Sequence, residues 1–231
     1  MPKAKPLSTK SSRAGREAIG LDALARRPGT KIRRPVLIVC EGKKTEQIYL
    51  NALRVYYRLS TVDIKIYGEG AGPREVVQRA IELSDERRQA ARRRNGPPPY
   101  EEMWSVFDRE ASNEPAGYTE ALHLAEAHKI RLAISNPAFE YWYLLHFVET
   151  SRAFSNADEL LSELCKPNCM PGYQKRLNVF DALRDQTDLA HDRAARLYAR
   201  HPDRERDPYP NPSTLVYQLV AGIIAMIGYR R

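Results

Sequence analysis

The chain has 231 residues, 42% hydrophobic and 29% charged, with 37 Lys and Arg against 29 Asp and Glu and a formal net charge of +8. That length and balance suit one substantial domain, or a domain with an annex, and exclude a collagen-like or wholly disordered chain. Three cysteines, Cys40, Cys165 and Cys169, exclude a dense disulfide framework and point to a reducing compartment.

The charge is localised. Residues 1–34 carry ten Lys and Arg and two acids, so this stretch holds the whole +8 and the remainder is neutral. Its first twenty residues are rich in Ser, Lys and Pro without periodic apolar positions, which predicts a flexible arm. Such an arm reaches nucleic-acid phosphate or serves as a solubilising tail. It has no apolar core of a secretory signal, so a cytoplasmic protein is expected.

From Pro35 the pattern changes. PVLIVC (35–40) is a continuous β-branched run that reads as a strand buried on both faces. KKTEQIYLNALRVYY reads as a helix and VDIKIYG (62–68) as a strand. GEGAGP then turns into a helix from Pro73 to about Arg94, stopped by Asn95-Gly96-Pro97-Pro98-Pro99. MWSVF (103–107) is a third strand, 115–129 a helix and IRLAIS (130–135) a fourth strand. Asn136-Pro137 has the cap-and-first-turn chemistry of a helix start, leading into AFEYWYLLHF.

This alternation predicts an α/β domain over 35–150, a parallel sheet flanked by helices. After residue 150 the strand signal disappears. Helical stretches near 156–165, 175–200 and 213–228 predict a C-terminal helical annex over 151–231. The longest apolar run, LVAGIIAMIG, has ten residues, short of the ~20 that span a bilayer. No internal repeat is present.

In open parallel sheets ligands bind beyond the carboxyl ends of the strands. Glu41 follows the first strand, and Asp108-Arg109-Glu110 follows the third. If those strands are neighbours, three carboxylates converge, a donor set suited to Mg²⁺ or Mn²⁺. Such an ion polarises a phosphoryl oxygen and lowers the pKa of an attacking water.

VLIVCEGKKTEQIYL, VFDRE and ISNPAFEYWYLLHF, in this order, resemble the signature segments of RloB-like proteins, Toprim-related nucleases of bacterial phage defence. GYQKRL (172–177) and NPSTLV (211–216) resemble later segments of the family. The resemblance implies a Toprim-like fold in which Glu41, Asp108 and Glu110 hold Mg²⁺ or Mn²⁺. Glu110 stands where the usual Asp-x-Asp has its second Asp, keeping the carboxylate on a longer arm. The resemblance further implies metal-dependent phosphodiester hydrolysis beside a partner ATPase that senses infection, with RNA, and tRNA in particular, favoured over DNA. The rival readings are a non-catalytic subunit docking onto an ATPase and a DNA-directed Toprim nuclease. A topoisomerase would need a moving gate that 231 residues leave little room for.

Other residues have two readings each. Glu46 could join the metal site, but the helix dipole already explains an acid in a first helical turn. Glu140 lies one turn into an aromatic-rich helix, and the family motif directs it towards the site. Lys175, in GYQKRL, is a surface lysine or stabilises charge on a transferring phosphoryl group. Lys43, Lys44, Arg109 and Asn136 are candidates for substrate binding, with Asn136 equally a plain N-cap. His146 reads as a structural histidine. Gly42-Lys43-Lys44-Thr45 lacks the earlier glycine of a P-loop, because position 37 is Leu. Pro73 spoils the dinucleotide fingerprint begun at Gly68. Cys165 and Cys169 lack a second ligand pair for zinc. The arginines at 87, 88 and 92–94 sit at a helix C-terminus, where cations suit the dipole, and are a secondary candidate for RNA or partner contact.

Overall fold

The computed structural model describes residues 35–42, 44–66, 71–111 and 114–226. The expectations for the basic arm (1–34), for Lys43 and for residues 67–70 fall outside these.

Strand β1 (Val36–Cys40) sits between β2 (Val62–Ile66) and β3 (Glu102–Asp108), both parallel to it, and β4 (Arg131–Asn136) adds to β3 in parallel. A two-residue strand, β5 (Ser213–Thr214), closes the edge antiparallel to β4, giving the order β2-β1-β3-β4-β5. The connecting helices are α1 (Thr45–Tyr56), α2 (Pro73–Ala91) and α3 (Tyr118–Ala127), with α4 (Glu140–Leu144) directly after β4. Four more follow: α5 (Ala157–Leu164), α6 (Phe180–Leu183), α7 (Thr187–Arg200) after a short 3₁₀ turn, and α8 (Val216–Ala225).

The side-chain alternation of a strand sends successive residues to opposite faces, and here it divides the core into two layers. Leu37 and Val39 with Phe107 and Ile134 face α2 and α3, whose Val76, Val77, Ala80, Ala121 and Ala125 form the apolar stripe. Val36, Ile38 and Cys40 with Trp104 and Val106 face α1 and α4–α8. Pro73 opens α2, as expected, and a tight turn closes it. Gly96 is required there, because an added Cβ would lie 2.0 Å from the Ala90 carbonyl oxygen.

Three expectations need correction. The sheet is mostly parallel, not wholly so, because β5 pairs antiparallel. Two residues are too short for periodicity to reveal; the pairing rests on Leu215 N–H donating to the Ile134 carbonyl (2.9 Å) and on the Ser135–Thr214 hydroxyl contact (2.8 Å). The stretch 175–200 is not one helix but α6, a 3₁₀ turn and α7. Asn136 does not cap a helix: it ends β4 before a cis peptide to Pro137, and α4 starts at Glu140 with Phe139 in the cap position.

The helices after residue 150 have no separate core. Leu160, Leu164, Leu183, Ala190 and Val216 are buried in the same cluster as Val36 and Trp104. Leu183 is fully buried in it. Leu183→Ala is therefore expected to cost about 2–5 kcal/mol and to lower the midpoint of a single thermal transition rather than split it. Melting followed at both far- and near-ultraviolet wavelengths checks this.

Candidate active site

The order β2-β1-β3-β4 places the topological switch between β1 and β3, where connections leave in opposite directions; open α/β sheets bind their ligands beyond the strands' carboxyl ends at such a point. Glu41 directly follows β1 and Asp108 ends β3. Glu41 N–H donates to the Val106 carbonyl (3.1 Å), and the Glu41 carboxylate accepts from the Asp108 backbone N–H. β1–β3 pairing thus fixes both acids at once.

Two further carboxylates join them. Glu46, in the first turn of α1, is buried, and its charge acts on Glu41, Asp108 and Cys40. It lies against Gly42, where an added Cβ would stand 2.4 Å from Glu46 Oε2. Gly42 thus leaves the space that this carboxylate fills. Glu140 is 1% exposed, and its Oε1 accepts from Thr45 Oγ1 (3.1 Å) and Tyr173 OH (3.2 Å). Tyr143 OH in turn donates to the Thr45 carbonyl (3.2 Å). Hydroxyls from α1 and from the loop before α6 therefore hold Glu140 in place.

Burial and mutual repulsion dominate the electrostatics. Desolvation, then the Glu46 charge, pushes the Glu41 carboxyl up to about 7; Glu110 adds the weakest contribution. Asp108 is raised well above the ordinary carboxylate range by desolvation, then by Glu46, Glu140 and Glu41, with Lys175 opposing. Glu46 is raised chiefly by desolvation, against a hydrogen bond from its own backbone N–H, with Glu140 raising it and Lys175 lowering it. Among the described residues none of these four acids forms an ion pair with Lys or Arg, and Lys175 offsets the repulsion only from a distance.

Glu41, Asp108, Glu140 and Lys175 are thus brought into one electrostatic group, and Glu46 belongs with them. Glu110 is exposed at the margin, in a turn where it and Ala111 both have left-handed backbone (φ 59° and 58°). Lys44 is exposed just before α1. Arg109 and Asn136 do other work. The Arg109 guanidinium is bound by Asp207, the Tyr209 carbonyl (2.7 Å) and Glu114 (3.5 Å), and lies over the Tyr118 ring. Asn136 Nδ2 donates to that same Tyr209 carbonyl (2.9 Å). Together they clasp the 203–212 loop to the ends of β3 and β4. His146 is a buried structural residue: its Nδ1 meets the Trp142 carbonyl (2.9 Å), and burial lowers its pKa to about 4.

All the donors gathered here are carboxylate oxygens, the chemistry of a site for a hard divalent cation. Among the described residues, no three Asp, Glu, His or Cys side chains already converge as a ligand set. The acids form a largely buried, mutually repelling group.

A raised carboxyl pKa means that the folded chain holds more protons than the unfolded chain between the ordinary carboxylate range and the shifted value. For Glu41 that window ends at about 7, so its contribution lowers stability as pH rises through it. Asp108→Asn removes one of the repelling charges. In cation-free buffer it is expected to raise the melting temperature at pH 8 by at least about 2–4 °C, the equivalent of ~1 kcal/mol for a chain of this size, and by less at pH 5. Thermal melts of both proteins at the two pH values check the sign.

Comparison with curated proteins finds no match, and comparison with solved structures finds none. A family model described as RloB-like protein matches residues 36–223. That span runs from β1 through most of α8 and includes every member of the carboxylate group. The chain belongs to the RloB-like protein family.

Proposed function

We propose that this chain is a Toprim-type nuclease that hydrolyses phosphodiester bonds with a divalent cation, Mg²⁺ or Mn²⁺. The observation that carries this reading is the grouping of Glu41, Glu46, Asp108 and Glu140 at the β1–β3 switch point, with Lys175 as the opposing cation. Burying like charges costs stability. A subunit that served only to dock onto another protein would gain nothing from that cost, whereas a cation site needs it.

Glu41 and Asp108 would hold the ion, with Glu46 behind them and Glu110 at the margin. Bound there, it supplies charge neutralisation at the phosphoryl oxygens and a more acidic water. The protein's own groups do the rest. Thr45 and Tyr173 fix Glu140 through one oxygen, so this carboxylate is positioned to take a proton from an attacking water. Lys175 meets negative charge developing on the phosphoryl group. Arg109 and Asn136 hold the loop that borders the strand ends instead of touching substrate.

In this reading the nucleic acid is RNA, with tRNA the class implied by the resemblance, and the chain is the effector beside a partner ATPase in defence against phage. Family resemblance supports the partner and the setting.

Purified chain, together with its partner, is expected to cleave RNA in Mn²⁺ or Mg²⁺ and not in EDTA. Glu41→Gln and Asp108→Asn are each expected to lower the rate by at least about a hundredfold while remaining folded. Gly42→Ala, which displaces the Glu46 carboxylate, should reduce the rate without a comparable loss of stability. Full cation-dependent cleavage in Asp108→Asn would overturn the assignment. Gel analysis of cleaved RNA and DNA reads all of these.

A further inference from the structure

Uncommitted cations gather at the amino ends of the strands, opposite the carboxylate group. Helices α2 and α3 both return from strand carboxyl ends to strand amino ends. They start side by side, since a Cβ at Gly72 would stand 3.0 Å from the Ala116 carbonyl oxygen. With 19 residues against 10, α2 runs about 13 Å past the end of α3. Arg92, Arg93 and Arg94 sit on that overhanging end, all exposed. The arginines within α2 are committed: Arg74 to Glu75, Arg79 to Glu82 and Glu86, Arg88 to Asp85, and Arg87 to the Pro98 carbonyl (2.7 Å) and the Tyr100 ring. Among the described residues, Arg92, Arg93 and Arg94 have no such partner.

The backbone holds these cations in place. Gly96 N–H donates to the Arg93 carbonyl (2.9 Å), Asn95 is left-handed (φ 61°), and the bond from Arg87 to Pro98 ties the following segment back onto α2. At the end of α3, Lys129 takes the left-handed position of the helix-ending turn (φ 55°). Ile130 N–H donates there to the Ala125 carbonyl (2.8 Å), and Lys129 N–H to the Glu126 carbonyl (3.2 Å). Glycine fills this position without steric cost, and a lysine bears one. The helix dipole explains a cation near each helix end, but neither a lysine in glycine's place nor three arginines in succession. Of the nearby acids, Asp85 and Glu86 are taken by Arg88 and Arg79, and Glu126 is exposed one turn before Lys129. The exposed large apolar side chains Val55, Tyr56, Leu177 and Leu189 lie on other elements, so this patch lacks the aromatic centre of a protein interface.

We infer that Arg92, Arg93, Arg94 and Lys129 bind the phosphate backbone of a nucleic acid at a surface separate from the carboxylate group. Along α2 the arginines stand about 28 Å from the helix start at the strands' carboxyl ends. That is the length of about eight base pairs at ~3.4 Å each, so no single nucleotide reaches both. Affinity here comes from phosphate neutralisation and counterion release, which carry no sequence preference. Binding at this surface needs no divalent cation and stands apart from the cleavage proposed above. In sequence the +8 stretch joins the chain at Pro35, whose carbonyl accepts from the Glu101 N–H (2.9 Å), where the arginine-bearing segment enters β3.

The test uses the full chain in EDTA with fluorescein-labelled RNA and DNA duplexes of about 24 base pairs, read by anisotropy between about 50 and 200 mM KCl. The triple variant Arg92→Ala, Arg93→Ala, Arg94→Ala is expected to bind at least about tenfold more weakly at the lower salt. Its plot of log affinity against log salt should flatten by about 2–3, nearly one for each lost phosphate contact. Lys129→Gly relieves the left-handed backbone, so its slope should flatten by about 1 while its melting temperature holds or rises. Arg200→Ala, at an exposed cation in the last turn of α7, is the control and should leave the slope unchanged. Residues 1–34 are present in every variant, so the differences read the patch. A response with either duplex supports the surface, and the larger response identifies RNA or DNA. No binding by the wild-type chain, or an equal change in Arg200→Ala, overturns it. Unchanged slopes in the triple and Lys129 variants also overturn it and assign the cations to an acidic protein partner. Duplex binding without cleavage in Mn²⁺ leaves the surface standing and removes the nuclease reading. Cleavage with unchanged slopes does the reverse.

Discussion

Four carboxylates held together against their own repulsion are the constraint on which the rest of this structure depends. Two of them, Glu41 and Asp108, are fixed by strand pairing, since β1 and β3 run parallel in one register and end side by side. A slip of that register would separate the acids and turn every β1 side chain to the wrong layer. The two hydrophobic layers lock the register, with Leu37 and Val39 committed to one face and Val36, Ile38 and Cys40 to the other. Burial of apolar surface, at roughly 25 cal/mol per Å², offsets the electrostatic cost of keeping the acids close.

The C-terminal half is part of the same device. It supplies Tyr173 to Glu140, the Lys175 charge to Glu46 and Asp108, and the loop that Arg109 and Asn136 fasten beside the strand ends. One carbonyl, that of Tyr209, receives both Arg109 and Asn136. The helices beyond residue 150 thus complete the core, and the segment before α6 holds Glu140 in place, in keeping with a family match that extends to residue 223.

Much of this was legible in the sequence because its signals are local. PVLIVC, MWSVF and IRLAIS read as strands from their β-branched and aromatic runs, and the strand-end rule singled out Glu41 and Asp108. Glu46 was harder, because an acid in a first helical turn has a complete local explanation in the helix dipole. Only the backbone path shows that it turns inward over Gly42. Asn136-Pro137 carried the signature of a helix start, yet tertiary pairing with the Tyr209 carbonyl won. Arg109 sits between two candidate acids in sequence, but strand alternation takes its side chain to Asp207 instead. Tyr173 and β5 depend on contacts 33 and 79 residues distant in sequence, beyond any local pattern. The +8 charge, which first suggests nucleic-acid binding by the whole protein, belongs to residues 1–34; the domain that carries the acids is neutral overall.

The central claim is that these acids form a site for one divalent cation. Calorimetric titration of the purified chain with Mn²⁺ at pH 7, in two buffers of different ionisation enthalpy, tests it most directly. Burial and the Glu46 charge push the Glu41 carboxyl up to about 7, so a cation held there is expected to displace protons at this pH. The account predicts one Mn²⁺ per chain, a buffer-dependent heat that reports proton release, and loss of binding in Asp108→Asn. No binding by the wild-type chain, or equal binding by Asp108→Asn, would contradict it.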